Sequence, residues 1–221
     1  MYQRYLLFFG YTIFIIFASS FITSAYFHHY VINQPAPESL IFVSADKVKN
    51  SPIKDDDAII ELFSYACHYC EANEDQVAEL EKNLPVGARL VRLHVNGDEK
   101  SPMTAFAPLF ATLTVMGIEA QHRSAAYQAA IKDNLDLTDE RRLRGWLKAN
   151  GIDEAEYAQA RGSAAVQQLL AYMTAVSRHY PIGATPSFIV NKKWLAVQDR
   201  EFPAFSEQLL SLLQHDKPLE P

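Results

Sequence analysis

The chain has 221 residues, a net charge of −6 and a hydrophobic share of 49%, raised by its N-terminus. That length suits one sizeable globular domain plus an extension. The mild acidity supplies no basic footprint for nucleic acid.

Residues 1–4 read as a cytoplasmic stub. From Tyr5 to Phe27 run 23 residues without a charge. As a helix they would reach about 34 Å, enough for a hydrocarbon core of about 30 Å. Arg4 precedes the run and no charge follows until Glu38, an asymmetry that puts the N-terminus in the cytoplasm and the rest outside. Tyr2, Tyr5, Tyr26 and Tyr30 bracket it as interfacial aromatics would. A cleaved signal peptide is the rival reading. Thr23-Ser24-Ala25 is a poor cleavage site, however, and the apolar run exceeds the usual length of about 7–15 residues, which favours an uncleaved anchor. Both readings export the domain to where disulfide chemistry is sustained.

Residues 28–39, with Pro35 and Pro37, read as an extended linker. Leu40 to Ser44 is a brief apolar strand, and Asp46 to Asp57 a solvated loop. Ala58 to Phe63 is a buried strand, apolar on both faces apart from Glu61. It leads into Cys67-His68-Tyr69-Cys70, which holds the only two cysteines. A helical pattern runs from Glu71 to Lys82, with Val77, Leu80 and Leu84 on one face and Pro85-Val86-Gly87 as its stop. Arg89 to Val95 is a second strand, with Leu90, Arg92 and His94 on one face. Strand, helix, strand makes a βαβ unit whose strands are parallel.

From Pro102 to His179 the pattern is helical. Met103 to Met116 closes at Gly117, and Ala120 to Ile131 follows. Thr138 caps a third helix that ends at Asn150-Gly151. Ile152 to Tyr157 has the form of a capping box with a hydrophobic staple. Ser163 to His179 carries Val166, Leu169, Leu170, Met173 and Val176 at core spacing. Strand character returns at Ser187 to Val190 and Trp194 to Val197, a β-hairpin turning at Asn191-Lys192-Lys193. A last helix spans Pro203 to Gln214.

A C-x-x-C delivered by a strand to the start of a helix is a redox arrangement. The N–H groups and dipole at the helix start favour thiolate at the first cysteine. The second cysteine is close enough to attack a mixed disulfide formed there. Zinc sites use the same spacing, but no second cysteine pair exists, and the other histidines show no paired spacing beside the motif. An inert structural disulfide is the remaining alternative. A charge in a buried strand needs a partner, and Glu61 and Arg92 lie on strands expected to be neighbours. His68 would lower the Cys67 pKa as a cation, or else be an exposed residue of the first turn. Tyr69 stands between thiol tuning and surface packing. His94, His122 and His179 read as structural histidines.

Glu61-Leu62-Phe63-Ser64-Tyr65-Ala66-Cys67-His68-Tyr69-Cys70 resembles the active-site segment of the DsbA-type periplasmic disulfide oxidoreductases. The similarity continues through Leu84-Pro85-Val86-Gly87, Leu93-His94-Val95-Asn96 and Ala149-Asn150-Gly151-Ile152. It closes with Gly183-Ala184-Thr185-Pro186-Ser187-Phe188-Ile189-Val190-Asn191, covering the chain from about Asp57 onward. The resemblance implies a thioredoxin-like α/β fold with an inserted all-helical subdomain. It assigns residues 40–101 and 181–221 to the thioredoxin-like part and 102–180 to the insertion. It also implies roles: Cys67 as nucleophile, Cys70 as resolving thiol, and Pro186 as a cis-proline that, with Thr185, presents backbone to an extended substrate. Glu61 matches the family's buried acid, and Arg92 stands where a lysine partner is usual. Three features depart from the best-known members. These are His68-Tyr69 in place of proline-histidine, Thr185 as in isomerase-like branches, and the anchor.

The expectation is a monomeric, membrane-tethered thiol:disulfide oxidoreductase facing a bacterial periplasm, needing no metal or organic cofactor. It would donate its disulfide to exported cysteine-containing proteins and be reoxidised by a membrane quinone-coupled partner. An isomerase or reductase of the same fold is the first alternative, although residues 28–57 are too short for a dimerising N-terminal domain. A non-enzymatic assembly factor, docking partners on the helical block, is the second.

Overall fold

The computed structural model describes residues 2–27, 39–97 and 101–219, in two units, Met1–Glu38 and Ser39–Pro221. The first contains helix α1, Tyr2–Phe27. Its Phe9–Tyr26 stretch is long and apolar enough to cross a membrane, and none of it is buried within the protein. The linker expected over residues 28–39 lies, but for Ser39, outside the described residues.

The second unit is built on a five-stranded sheet. Its strands are β1 (Leu40–Phe42), β2 (Ala58–Phe63), β3 (Arg89–His94), β4 (Ser187–Val190) and β5 (Trp194–Val197), in the order β1-β5-β4-β2-β3. β2 and β3 run parallel, as a helical crossover between them requires. The β4–β5 hairpin and the β1–β5 and β2–β4 pairs are antiparallel. Every residue of β2 is buried, because helices cover both faces of the sheet. On one face Ile59, Phe188 and Val190 pack with Val77, Leu80, Phe202, Phe205 and Leu209. On the other, Ile60, Leu62 and Phe63 join the apolar side chains of the helices between β3 and β4.

Those helices are α5 (Ala107–Val115), α6 (Glu119–Tyr127), α7 (Glu140–Ala149), α8 (Glu154–Arg161) and α9 (Ala164–His179). α5 is buried almost all round, as a helix enclosed by its neighbours must be. Rings join this block to the end of β2. Phe63 meets Phe110 at 5.3 Å between centroids, and Tyr65 meets Tyr127 at 5.2 Å. Helix α10, Phe202–His215, closes the opposite face.

Several expectations need correction. The segment from Asp46 to Asp57 is not all solvated loop. It opens with helix α2, Ala45–Lys49, where the Val48 N–H reaches the Ser44 carbonyl, and Ile53 beyond it is buried. The helix expected from Glu71 begins earlier and is broken into α3 (His68–Ala72) and α4 (Glu74–Lys82), with Asn73 between. The helix from Met103 starts only at Ala107. α6 runs into a π-helical turn at Gln128–Lys132. α7 is capped by Asp139 rather than Thr138. The Asp139 carboxylate takes both the Arg141 and Arg142 N–H groups, while Asp136 accepts from the Thr138 hydroxyl.

Candidate active site

Cys67 is the N-cap residue of α3. Its backbone is extended (φ −99°, ψ 111°), and the Cys70 N–H donates to its Sγ at 3.1 Å. A sulfur at this position takes the place of the oxygen of an ordinary capping side chain. Cys67 and Cys70 are joined as a disulfide. Cys67 keeps 5% of its surface in solvent and Cys70 none, so a thiolate arriving from solution meets Cys67.

Antiparallel pairing of β4 with β2, which sets Ser187 opposite Leu62, carries the loop before β4 to the motif. The Thr185 carbonyl oxygen lies 3.3 Å from Cys67 Sγ. The Thr185–Pro186 peptide is cis, and the Ser187 hydroxyl donates to the Ala184 carbonyl at 2.7 Å. Hollows open on both sides of this loop. One of about 590 Å³ is lined by Val95, Met103, Ile182, Ala184 and Thr185. The other, of about 460 Å³, is lined by Tyr69, Thr185, Pro186, Gln198 and Arg200. Tyr69 is 73% exposed at its rim, and His68 is exposed beside it.

Glu61 and Arg92 face each other in the β2–β3 register, and Arg92 Nε donates to Glu61 Oε2 at 2.5 Å. Both guanidinium Nη atoms of Arg92 then reach the Glu74 carboxylate, each at 2.8 Å. The guanidinium also lies over the Phe63 ring, 5.4 Å from its centroid. Burial pushes the Glu61 carboxyl above its ordinary range, against the pull of Arg92. Burial works against the Arg92 charge too, but Glu61 and Glu74 outweigh it and hold the guanidinium protonated.

The ion pairs continue beyond what the sequence pattern pointed to. Arg123 on α6 contacts Glu74 at 3.4 Å and grips both oxygens of Glu119 at 3.0 and 2.5 Å. Glu119 in turn accepts from the buried Tyr65 hydroxyl at 2.7 Å. Burial alone would raise the Glu119 pKa, but Arg123 and Tyr65 hold it below the usual carboxylate value. The one hint in the sequence was the i,i+4 spacing of Glu119 and Arg123. That spacing marks a surface ion pair as readily as a buried one.

His94 is fully buried. Its Nε2 accepts from the Tyr65 N–H at 3.2 Å, which leaves Nδ1 to donate to the Val95 carbonyl at 2.8 Å. Burial pushes its pKa down to about 4, so the ring is neutral. It secures the backbone two residues before Cys67.

The fold and this dithiol site define a protein of the thioredoxin-like class. Residues 88–210 match the model of the DSBA-like thioredoxin domain, and the chain belongs to that family. It is 29% identical over 136 residues to the thiol:disulfide interchange protein DsbA of Pseudomonas syringae pv. tomato, a match covering 62% of this chain and 63% of that protein. It is 29% identical over 170 residues to the thiol:disulfide interchange protein DsbL of Lelliottia amnigena, covering 67% and 74%. The chain thus spans less than two thirds of the first relative's length. Among solved structures, a variant of Pseudomonas aeruginosa DsbA superposes with a TM-score of 0.71 at 20% identity, over 83% of this chain and 98% of that one. Neisseria meningitidis NmDsbA1 gives 0.65 at 18%, over 81% and 92%.

Proposed function

We propose that this protein is a thiol:disulfide oxidoreductase that donates its Cys67–Cys70 disulfide to exported proteins. The observation that carries the reading is a disulfide whose Cys67 sulfur caps a helix and lies against the Thr185 carbonyl. A substrate thiolate attacks Cys67 Sγ along the S–S axis, and the bond's electron pair leaves on Cys70, which takes up a proton. A second substrate thiolate then attacks the substrate sulfur of the mixed disulfide and expels Cys67 as a thiolate. Two electrons have passed from the substrate thiolates to the enzyme, which takes up one proton at Cys70 and holds Cys67 as the thiolate. The Cys70 N–H that reaches Cys67 Sγ in the disulfide is available to the thiolate, and this favours its departure.

In this reading Cys67 is the nucleophilic sulfur and Cys70 the resolving one. Thr185 and Pro186 offer main-chain groups to an extended substrate beside Cys67. The Proteus mirabilis relative of this fold has been crystallised with a non-covalently bound peptide, which supports a peptide ligand here. Glu61 and Arg92 tune the couple from beneath the motif, and His68 and Tyr69 from its solvent side. α1 is an inner-membrane anchor with residues 1–4 in the cytoplasm, residues 28–39 a tether, and the domain in the periplasm. A membrane quinone-coupled protein reoxidises the dithiol.

The test is the equilibrium of the full chain, in detergent, with glutathione. A potential above about −200 mV is that of a donor of disulfides. It should go with oxidation of a reduced, unfolded cysteine-containing protein, lost in Cys67→Ser. A potential near that of thioredoxin, about −270 mV, would replace this reading with a reductase or isomerase.

A further inference from the structure

The polar contacts beneath the motif form one connected network. It starts at Tyr65, two residues before Cys67, and passes through Glu119 and Arg123 of α6 to Glu74, four residues after Cys70. From Glu74 it continues through Arg92 and ends at Glu61 on β2. One pair from the inserted helices therefore holds both flanks of the redox motif. Tyr65 is fully buried and Glu119 is 7% exposed. With the Arg123 side chain 23% exposed, the pair is largely shielded from the screening that weakens exposed ion pairs.

We propose that Glu119 and Arg123 are positioning residues for the dithiol–disulfide reaction, which fix the motif's flanks and set the charge beneath it. The proposal rests on the redox reading above. The network contains three carboxylates and two guanidiniums, so with all groups ionised it carries −1. Neutralising Arg123 takes it to −2, and neutralising Glu119 takes it to 0. The thiolate of Cys67 exists only in the reduced form, so added negative charge below it disfavours reduction and removed negative charge favours it. The two substitutions therefore move the couple in opposite directions. A pair that served only to dock the insertion would lower the stability of both redox forms together and leave their difference unchanged.

The experiment measures the glutathione equilibrium of the full chain in detergent for the wild type, Arg123→Met, Arg123→Lys and Glu119→Gln. Thiolate absorbance is titrated alongside, to read the Cys67 pKa. Arg123→Met is expected to shift the equilibrium toward the disulfide by roughly three- to tenfold, with a raised Cys67 pKa. Glu119→Gln is expected to shift it toward the dithiol by a similar factor, with a lowered pKa. Arg123→Lys, which keeps the charge, is expected to stay within about twofold of the wild type. Should Arg123→Met fail to fold, the sign of Glu119→Gln and the rescue by Arg123→Lys still decide. Shifts of the same sign, or potentials that all coincide, overturn the proposal while leaving the redox reading intact. A wild-type chain that does not exchange with glutathione overturns both.

Discussion

Single buried residues beneath the motif should dominate the protein's response to pH, and with opposite signs. His94 has its folded pKa depressed to about 4, below the unfolded value of about 6.5. The unfolded chain takes up a proton first, so stability should fall by up to about 3 kcal/mol as pH drops from about 6.5 to about 4. Chemical denaturation across that range checks this, and His94→Gln should flatten the slope. Glu61 works the other way. Its folded pKa is raised above 4.5, so its favourable contribution is complete below that value and is lost as pH rises through the folded pKa. Glu61→Gln should accordingly leave stability at pH 7 unchanged or higher, with Arg92 still held by Glu74. Arg92→Met should cost about 3–5 kcal/mol, because it strands the buried Glu61 and leaves Glu74 only its 3.4 Å contact with Arg123. Urea midpoints of the two variants should therefore move in different directions or by very different amounts, and equal losses would contradict the pairing energetics.

At the scale of elements, the break between α3 and α4 matters more than their lengths. Asn73 ends one helix and begins the other, and its side-chain amide donates to Gln198 Oε1 at 2.5 Å. This ties the redox helix to the segment between β5 and α10. Asn73→Ala should cost about 1–2 kcal/mol, since it leaves Gln198 without that donor. Lys132 of the π-helical turn pairs with Glu71 at 2.8 Å, but its side chain is 57% exposed, so Lys132→Ala should cost under about 1 kcal/mol. The reverse order of losses in urea would mean that the rim bridge, not the buried contact, holds α3.

Much of this architecture was legible in the sequence. An apolar run broken only by Glu61 announced β2, two short apolar runs around a polar turn announced the hairpin, and the one C-x-x-C announced the dithiol. Glu61 and Arg92 could be paired because a charge inside a buried strand demands a partner. Glu74, Glu119 and Arg123 could not, because a charge on an amphipathic helix is satisfied by water unless another helix covers it. That covering is decided by the packing of α6 against the redox helices, across a sequence separation no local pattern spans. The break at Asn73 was hidden for a similar reason, since its partner Gln198 lies 125 residues on.

For the whole molecule, the proposed anchoring role of α1 is open to a direct test. The full chain is expected in the membrane fraction and resistant to carbonate extraction, with intact mass retaining residues 5–27. A mature chain beginning near Tyr26 would show that α1 is removed. The distance in sequence between the two halves of the active site has a consequence of timing. Cys67 meets the Thr185 carbonyl across a separation of 118 residues, and closing so long a loop comes late in folding. If the domain is exported as proposed, a chain that emerges N-terminus first would offer its own cysteines to that compartment well before the Thr185 segment arrives. Until that moment they are ordinary substrate thiols, open to any oxidant present. Under the proposed function, a newly made copy of this protein would begin as a client of the copies already folded.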